Sequence, residues 1–163
     1  MKRILVTGAN KGIGLAIVTK LLQDYPDTFL LLGSRDIGRG QAALWQVIKQ
    51  IKHLGNDRAD LIQIDVTSDE NVKKAVETVR TKFEDSEPLY GLVNNAGGAT
   101  GSSREILQLN TYSVRRVTEA FLPLIQKNKG IKIMPKLIPS ITFLFRSYCA
   151  NFIWSCTNVC QKM

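Results

Sequence analysis

A chain of 163 residues is one domain's worth of sequence and long enough for a sizeable core. Its 44% apolar and 22% charged fractions are those of an ordinary soluble protein, and no uninterrupted apolar stretch is long enough to span a bilayer. The net charge of +8 comes from basic residues spread along the chain. Without a Lys/Arg block interleaved with aromatics, that charge reads as a basic surface with anion-binding residues, not as a nucleic-acid interface.

Met1-Lys2-Arg3 leads into a short strand, residues 3–7, and not into a signal-peptide apolar segment. The strand's core, Ile4-Leu5-Val6, runs directly into Thr7-Gly8-Ala9-Asn10-Lys11-Gly12-Ile13-Gly14, and a helix over 12–23 follows with Leu15, Val18, Leu21 and Leu22. A strand that ends in a glycine-rich turn opening a helix is suited to hold a pyrophosphate. Glycine lets backbone approach the ligand, and the helix N-terminus offers free N–H groups with partial positive charge. Strand two is Phe29-Leu30-Leu31-Leu32, continuously apolar as a strand buried on both faces must be. A helix over 38–53 follows, and His53, the only histidine, reads as a solvated helix-end imidazole. Strand three is Leu61-Ile62-Gln63-Ile64, and Thr67 with Glu70 predicts a capping box for a helix over 69–83. Strand four is Leu89-Tyr90-Gly91-Leu92-Val93, followed by a long helix over about 103–127. This βαβαβαβα order implies a doubly wound parallel sheet of the α/β class.

After Gly130 the texture changes. Residues 131–163 contain no Asp or Glu, hold all three cysteines and are interrupted by Pro135 and Pro139; Ile141–Phe145 is a candidate strand with no periodic helix after it. Cys149, Cys156 and Cys160 are odd in number and lack zinc-type spacing, which predicts free thiols, no metal site and a reducing, cytoplasmic setting. The chain therefore divides into residues 1–130, a nucleotide-binding unit, and 131–163, a divergent apolar and basic tail. An alternative transcript, retained non-coding sequence or a frame change would give such a tail.

Thr7–Gly14 matches the cofactor motif of the short-chain dehydrogenase/reductase family without a mismatch. The string through Leu15-Ala16-Ile17-Val18, with Arg35-Asp36 and Arg39-Gly40-Gln41-Ala42-Ala43, resembles the NADPH-dependent carbonyl reductases of that family. The resemblance covers about residues 1–130. It implies a Rossmann-type sheet of strand order 3-2-1-4, truncated after the fourth βα unit, with the dinucleotide crevice between strands one and four. It assigns Gly8, Asn10, Lys11, Gly12, Ile13 and Gly14 to the cofactor. Asp65 and Val66 match the pair that contacts adenine, the carboxylate accepting from the exocyclic amine and the neighbouring backbone donating to the ring. Asn94-Asn95-Ala96-Gly97 matches the turn that stabilises the sheet and lines the cleft, which brings Asn94, Ala96 and Gly97 into the cofactor set. Strand two runs into Gly33-Ser34-Arg35, placing a guanidinium where an acidic residue would favour NAD; Lys11 supplies a second cation, and the two together favour NADP(H). Asp36 is a competing ion-pair partner for Arg35.

Asn110 aligns with the family's helix asparagine, which helps hold a catalytic lysine through water. Only 12 residues separate Gly97 from Asn110, fewer than is usual in the family, so the shortened part falls beside the substrate cleft. The family reduces a carbonyl with a tyrosine general acid whose phenol, ordinarily near pKa ~10, is lowered by a lysine four residues later, while a serine orients the substrate. Tyr148-Cys149-Ala150 resembles the start of that motif, but Phe152 stands at the lysine position, and Ser140 lies too close before Tyr148. The catalytic half is not found. The resemblance thus implies an NADP(H)-dependent oxidoreductase acting on a small carbonyl substrate (ketone, aldehyde or quinone), with impaired activity in this chain. The competing readings are a non-catalytic nucleotide-binding or interaction protein and, more weakly supported, a tail that anchors at a membrane surface. Strand four is covered either by the apolar tail or left as an exposed edge through which the chain self-associates.

Overall fold

The apolar runs fold as the pattern demands. A computed structural model describes residues 1–51, 58–84 and 88–125, with the backbone of 132–135. In chain order the elements are β1 (Lys2–Val6), α1 (Gly12–Asp24), β2 (Thr28–Ser34), α2 (Ile37–Gln50), β3 (Ala59–Gln63), α3 (Asp69–Phe83), β4 (Gly91–Asn94), α4 (Ser103–Leu107), a π-helical turn (Gln108–Tyr112), α5 (Ser113–Phe121) and β5 (Lys132–Pro135). All strand pairs are parallel, in the order β3-β2-β1-β4-β5.

The expected 3-2-1-4 order is therefore present, and the sheet continues one strand beyond the expected stop. Gly91–Asn94 of β4 pairs with Lys132–Pro135, so β4 is an interior strand and not the exposed edge. Residues 141–145, the candidate strand, lie outside the described residues, as do His53, Ser140, Tyr148 and the three cysteines.

Alternation along each strand sends side chains to two separate cores. Leu5, Leu31 and Leu92 face α3 and α5, packing with Val72, Val76, Val79, Val117 and Phe121. Val6, Leu30, Leu32 and Val93 face α1 and α2, packing with Val18, Leu22, Ala43, Leu44 and Val47. The helix residues recur at three- and four-residue spacing, so each helix turns a single stripe to the sheet. Among the described residues no helix is long and apolar enough to cross a membrane.

Two helix ends differ from expectation. The N-cap of α3 is Ser68, whose side chain accepts from the Asn71 N–H at 3.2 Å; Thr67 instead turns its hydroxyl to Asp65 at 2.7 Å. The long helix expected over 103–127 is interrupted. Both the N–H and the hydroxyl of Ser113 reach the Gln108 carbonyl five residues back, which opens one wide turn. Its α-helical part ends at Phe121, and a 3₁₀ turn over Leu122–Leu124, with Pro123 inside it, closes the segment.

Candidate functional site

Parallel pairing brings the C-terminal ends of the strands level. Val6 lies opposite Leu32 of β2 and Val93 of β4, and Leu32 lies opposite Leu61 of β3. The segments that follow, Thr7–Lys11, Arg35, Asp65–Ser68 and Asn95–Gly98, consequently emerge along one rim. That rim gathers most of the cofactor-site residues singled out in the sequence, although they come from four strands. An open groove lined by Asp60, Leu61, Lys74 and Lys82 lies along β3 and the C-terminal half of α3, toward the opposite end of the sheet.

The glycine turn is fixed by a buried network centred on Thr7. The Thr7 N–H donates to the Val93 carbonyl at 3.0 Å, and its hydroxyl oxygen accepts from the N–H groups of Asn95 and Ala96, each at 3.1 Å. The Asn95 amide donates back to the carbonyls of Thr7 and Gly8 at 3.0 and 3.1 Å, and the Ala9 N–H donates to the Gly33 carbonyl at 2.9 Å. Glycine is required at two places here. Gly8 has φ +62°, and a Cβ there would lie 2.8 Å from the Cα of Ala96; a Cβ on Gly14 would meet the Asn95 amide and lie 2.6 Å from the Gly8 carbonyl oxygen. Thr7 and Asn95 are thus the residues that shape the turn. Sequence reasoning did not single them out, although both stand inside the quoted motifs.

The start of α1 has no cap within the described chain. The side chain of Lys11 makes no capping hydrogen bond, the first turn carries no acid, and the N–H groups of Gly12, Ile13 and Gly14 have no acceptor among the described residues. By contrast, Asp36 caps α2, Ser68 caps α3 and Ser102 caps α4. Ile13, 61% exposed, sits apolar at the same corner, and Asn10 lies half-buried in the turn. The two cations are also unclaimed: Lys11 and Arg35 are exposed and have no ion-pair partner among the described residues. Asp36 does not engage Arg35. Its carboxylate accepts from the Arg39 N–H at 2.8 Å and lies 3.8 Å from the Arg39 guanidinium.

At the end of β3 the chain turns tightly through Asp65–Ser68. One carboxylate oxygen of Asp65 accepts from the N–H and hydroxyl of Thr67 at 2.9 and 2.7 Å, its carbonyl accepts from the Ser68 N–H at 3.2 Å, and its own N–H donates to Asn71 at 2.6 Å. Among the described residues the second Asp65 oxygen and the Val66 N–H are both left without a partner. One accepts and one donates, as an adenine edge requires.

The turn after β4 divides its two asparagines. Asn95 serves the glycine turn, whereas Asn94 is 2% exposed and donates to the Thr118 hydroxyl on α5 at 3.0 Å. Asn110, in the π-helical turn, grips the backbone of Gly98 from both sides, donating to its carbonyl at 2.6 Å and accepting from its N–H at 3.1 Å. The shortened loop beyond Gly97 is thereby tied to the helix, and Ser102 with Glu105 forms a capping box at its far end. Tyr148 lies outside the described residues.

The sequence model of the family described as short chain dehydrogenase matches residues 2–134. The chain belongs to this family. Among curated relatives it is 34% identical over 140 residues to the mitochondrial D-beta-hydroxybutyrate dehydrogenase of Mus musculus, covering 79% of this chain and 39% of that one. The chain therefore spans about two fifths of that relative's length. Among solved structures it superposes on menthone neomenthol reductase from Mentha piperita with TM-score 0.69 and 28% identity, covering 81% of this chain and 58% of that one. The NADPH-bound carbonyl reductase from chicken fatty liver matches with TM-score 0.63 and 29% identity, covering 76% of this chain and 51% of that one. The family consists of oxidoreductases that bind a nicotinamide cofactor, and the rim described above is where the glycine turn of this member lies.

Proposed function

We propose that this chain binds NADP(H) along the rim and derives from a carbonyl-reductase-type oxidoreductase. The observation that carries the reading is the uncapped start of α1, with three N–H groups unmatched among the described residues, beside the cations Lys11 and Arg35, which have no ion-pair partner among them. Backbone donors at a helix start suit a pyrophosphate, and Arg with Lys suits the additional 2′-phosphate. The Asp65 carboxylate and the Val66 N–H hold adenine, Gly8, Asn10, Gly12, Ile13 and Gly14 shape the phosphate and ribose side, and Asn94, Ala96 and Gly97 contribute backbone to the cleft wall. When bound, the cofactor supplies hydride chemistry for a ketone, aldehyde or quinone. Asn110 is a positioning residue on the substrate side, where it holds the Gly98 backbone.

Catalysis by the chain alone is proposed to be impaired. None of the four tyrosines, Tyr25, Tyr90, Tyr112 and Tyr148, is followed four residues later by a lysine, so the given sequence does not contain the family's Tyr-x-x-x-Lys pair. That absence favours a second reading, a nucleotide-binding or interaction protein without turnover. The 131–163 segment is proposed as a divergent tail whose first residues, Lys132–Pro135, add β5 to the sheet of the 1–130 unit, the setting as cytoplasmic, and the outer edge of β5 as the place for any self-association.

Thermal melting separates cofactor binding from its absence. NADPH should raise the melting temperature and NADH should raise it less; no shift with either refutes the site. Turnover of a quinone or aldehyde with NADPH, lost in Tyr148→Phe, would establish the enzyme reading, and binding without turnover would establish the second.

A further inference from the structure

Arg116 has no part in the reading so far, yet it makes a long-range contact to the adenine end of the rim. It stands on α5, six residues after Asn110, with its side chain only 19% exposed. One of its terminal nitrogens donates to the Val66 carbonyl at 3.1 Å, and its Nε pairs with Asp69 in the first turn of α3. The planar fork thus holds both sides of the Asp65–Ser68 turn at once, across about 50 residues of sequence.

Within the turn, the Ser68 N–H on the Asp65 carbonyl and the Thr67 N–H on the Asp65 carboxylate hold the two peptide planes that flank Val66. Among the described residues, however, neither the Val66 N–H nor its carbonyl takes a partner inside the turn. Its N–H is the unmatched donor, and its carbonyl is the Arg116 acceptor. Because carbonyl and N–H flank the same residue, anchoring one limits how Val66 can turn the other. The Asp69 side of the pair is largely exposed and adds little by itself. The contact to the half-buried backbone is the stronger element, a charge-assisted bond to a carbonyl with no other partner among the described residues.

We infer that Arg116 is a positioning residue for the adenine subsite, bracing the Val66 peptide from α5 so that its N–H stays presented to the base. This rests on the dinucleotide reading of the rim. It predicts that Arg116 acts on the adenosine half of a ligand and not on the nicotinamide half. It also ties the adenine turn, through one side chain, to α5, which continues directly from the π-helical turn that carries Asn110.

The test has two arms on the full chain. In the first, amide hydrogen exchange is measured without ligand for wild type, Arg116→Ala, Arg116→Lys and Asp69→Asn. Exchange at Asp65, Thr67 and Ser68 should quicken several-fold in Arg116→Ala, recover in Arg116→Lys, and change little in Asp69→Asn; amides of Thr7 and Ala9 should not move. In the second, affinities for 2′,5′-ADP and for nicotinamide mononucleotide are compared. Arg116→Ala should weaken 2′,5′-ADP about tenfold and leave the mononucleotide unchanged. Equal weakening of both, or unaltered exchange in the 65–68 turn, overturns the proposal. A wild-type chain that binds neither NADPH nor 2′,5′-ADP overturns the dinucleotide reading itself, and the adenine role with it, even where the exchange arm shows the brace. If Arg116→Ala does not fold, Arg116→Gln carries both arms.

Discussion

The two ends of α1 are treated in opposite ways. At its C-terminal end Arg58 donates to the carbonyls of Leu22 and Tyr25, each about 3 Å away, and also to Thr28. The Tyr25 N–H closes back on Leu21 at 3.0 Å. Carbonyls at a helix C-terminus carry partial negative charge, and a guanidinium there satisfies both their lone pairs and the dipole. Among the described residues, three N–H groups at the N-terminal end have no acceptor and the neighbouring cations Lys11 and Arg35 have no carboxylate partner. A chain able to finish one end so fully has residue types to finish the other; α2, α3 and α4 are each capped by Asp36, Ser68 or Ser102. The difference marks which surfaces serve the fold alone and which are left to serve a ligand.

That contrast can be broken at either end. The largest effect is expected from Gly14→Ala, whose new methyl group meets the Asn95 amide and the Gly8 carbonyl. It should cost about 3 kcal/mol of stability and abolish nucleotide binding, measured by urea unfolding and by titration calorimetry. Arg58→Ala breaks the opposite end: it should cost about 2 kcal/mol while leaving NADPH affinity intact. If it weakens binding as strongly as Gly14→Ala, the two ends are not separate in function. Lys11→Ala and Arg35→Ala sharpen the open end. Both groups are exposed, so stability should change by less than about 0.5 kcal/mol, whereas NADPH affinity should fall about tenfold per residue and NADH affinity should hold. The smallest effect is at α4. Hydrogen bonds from the hydroxyl and N–H of Ser102 hold the Glu105 carboxyl below its ordinary value. The capping box is therefore fully formed above about pH 4.3 and is lost as the pH falls through the lower folded value. Following the Ser102 amide by NMR should show that loss below the ordinary glutamate value, and Glu105→Gln should remove the pH dependence.

How much of this was legible in the sequence depended on how local each cause was. β1 to β4 announce themselves as apolar runs, and the Thr7–Gly14 turn carries its own geometry in its glycines. β5 did not announce itself: Lys132-Ile133-Met134-Pro135 is short, begins with a cation and ends in proline, and only its pairing with β4 makes it a strand. The cap of α3 was misassigned by one position because Thr67 is drawn to Asp65, leaving Ser68 to take the helix. The interruption of the long helix was hidden for another reason. Its wide turn is built around Ser113, and beside it Asn110 engages Gly98, a contact made only once the loop has folded back. Among site residues, those inside contiguous motifs were legible. Arg58 and Arg116 were not, because each acts on backbone 30 to 50 residues away and neither stands in a motif.

The central claim is that the rim is open for a dinucleotide, and backbone NMR during NADPH addition tests it most directly. The N–H signals of Gly12, Ile13, Gly14 and Val66 should shift in a saturable way, while those of Asn71 and Glu105, which already donate to Ser68 and Ser102, stay in place. Shifts confined to other surfaces, or none at saturating NADPH, would contradict the account.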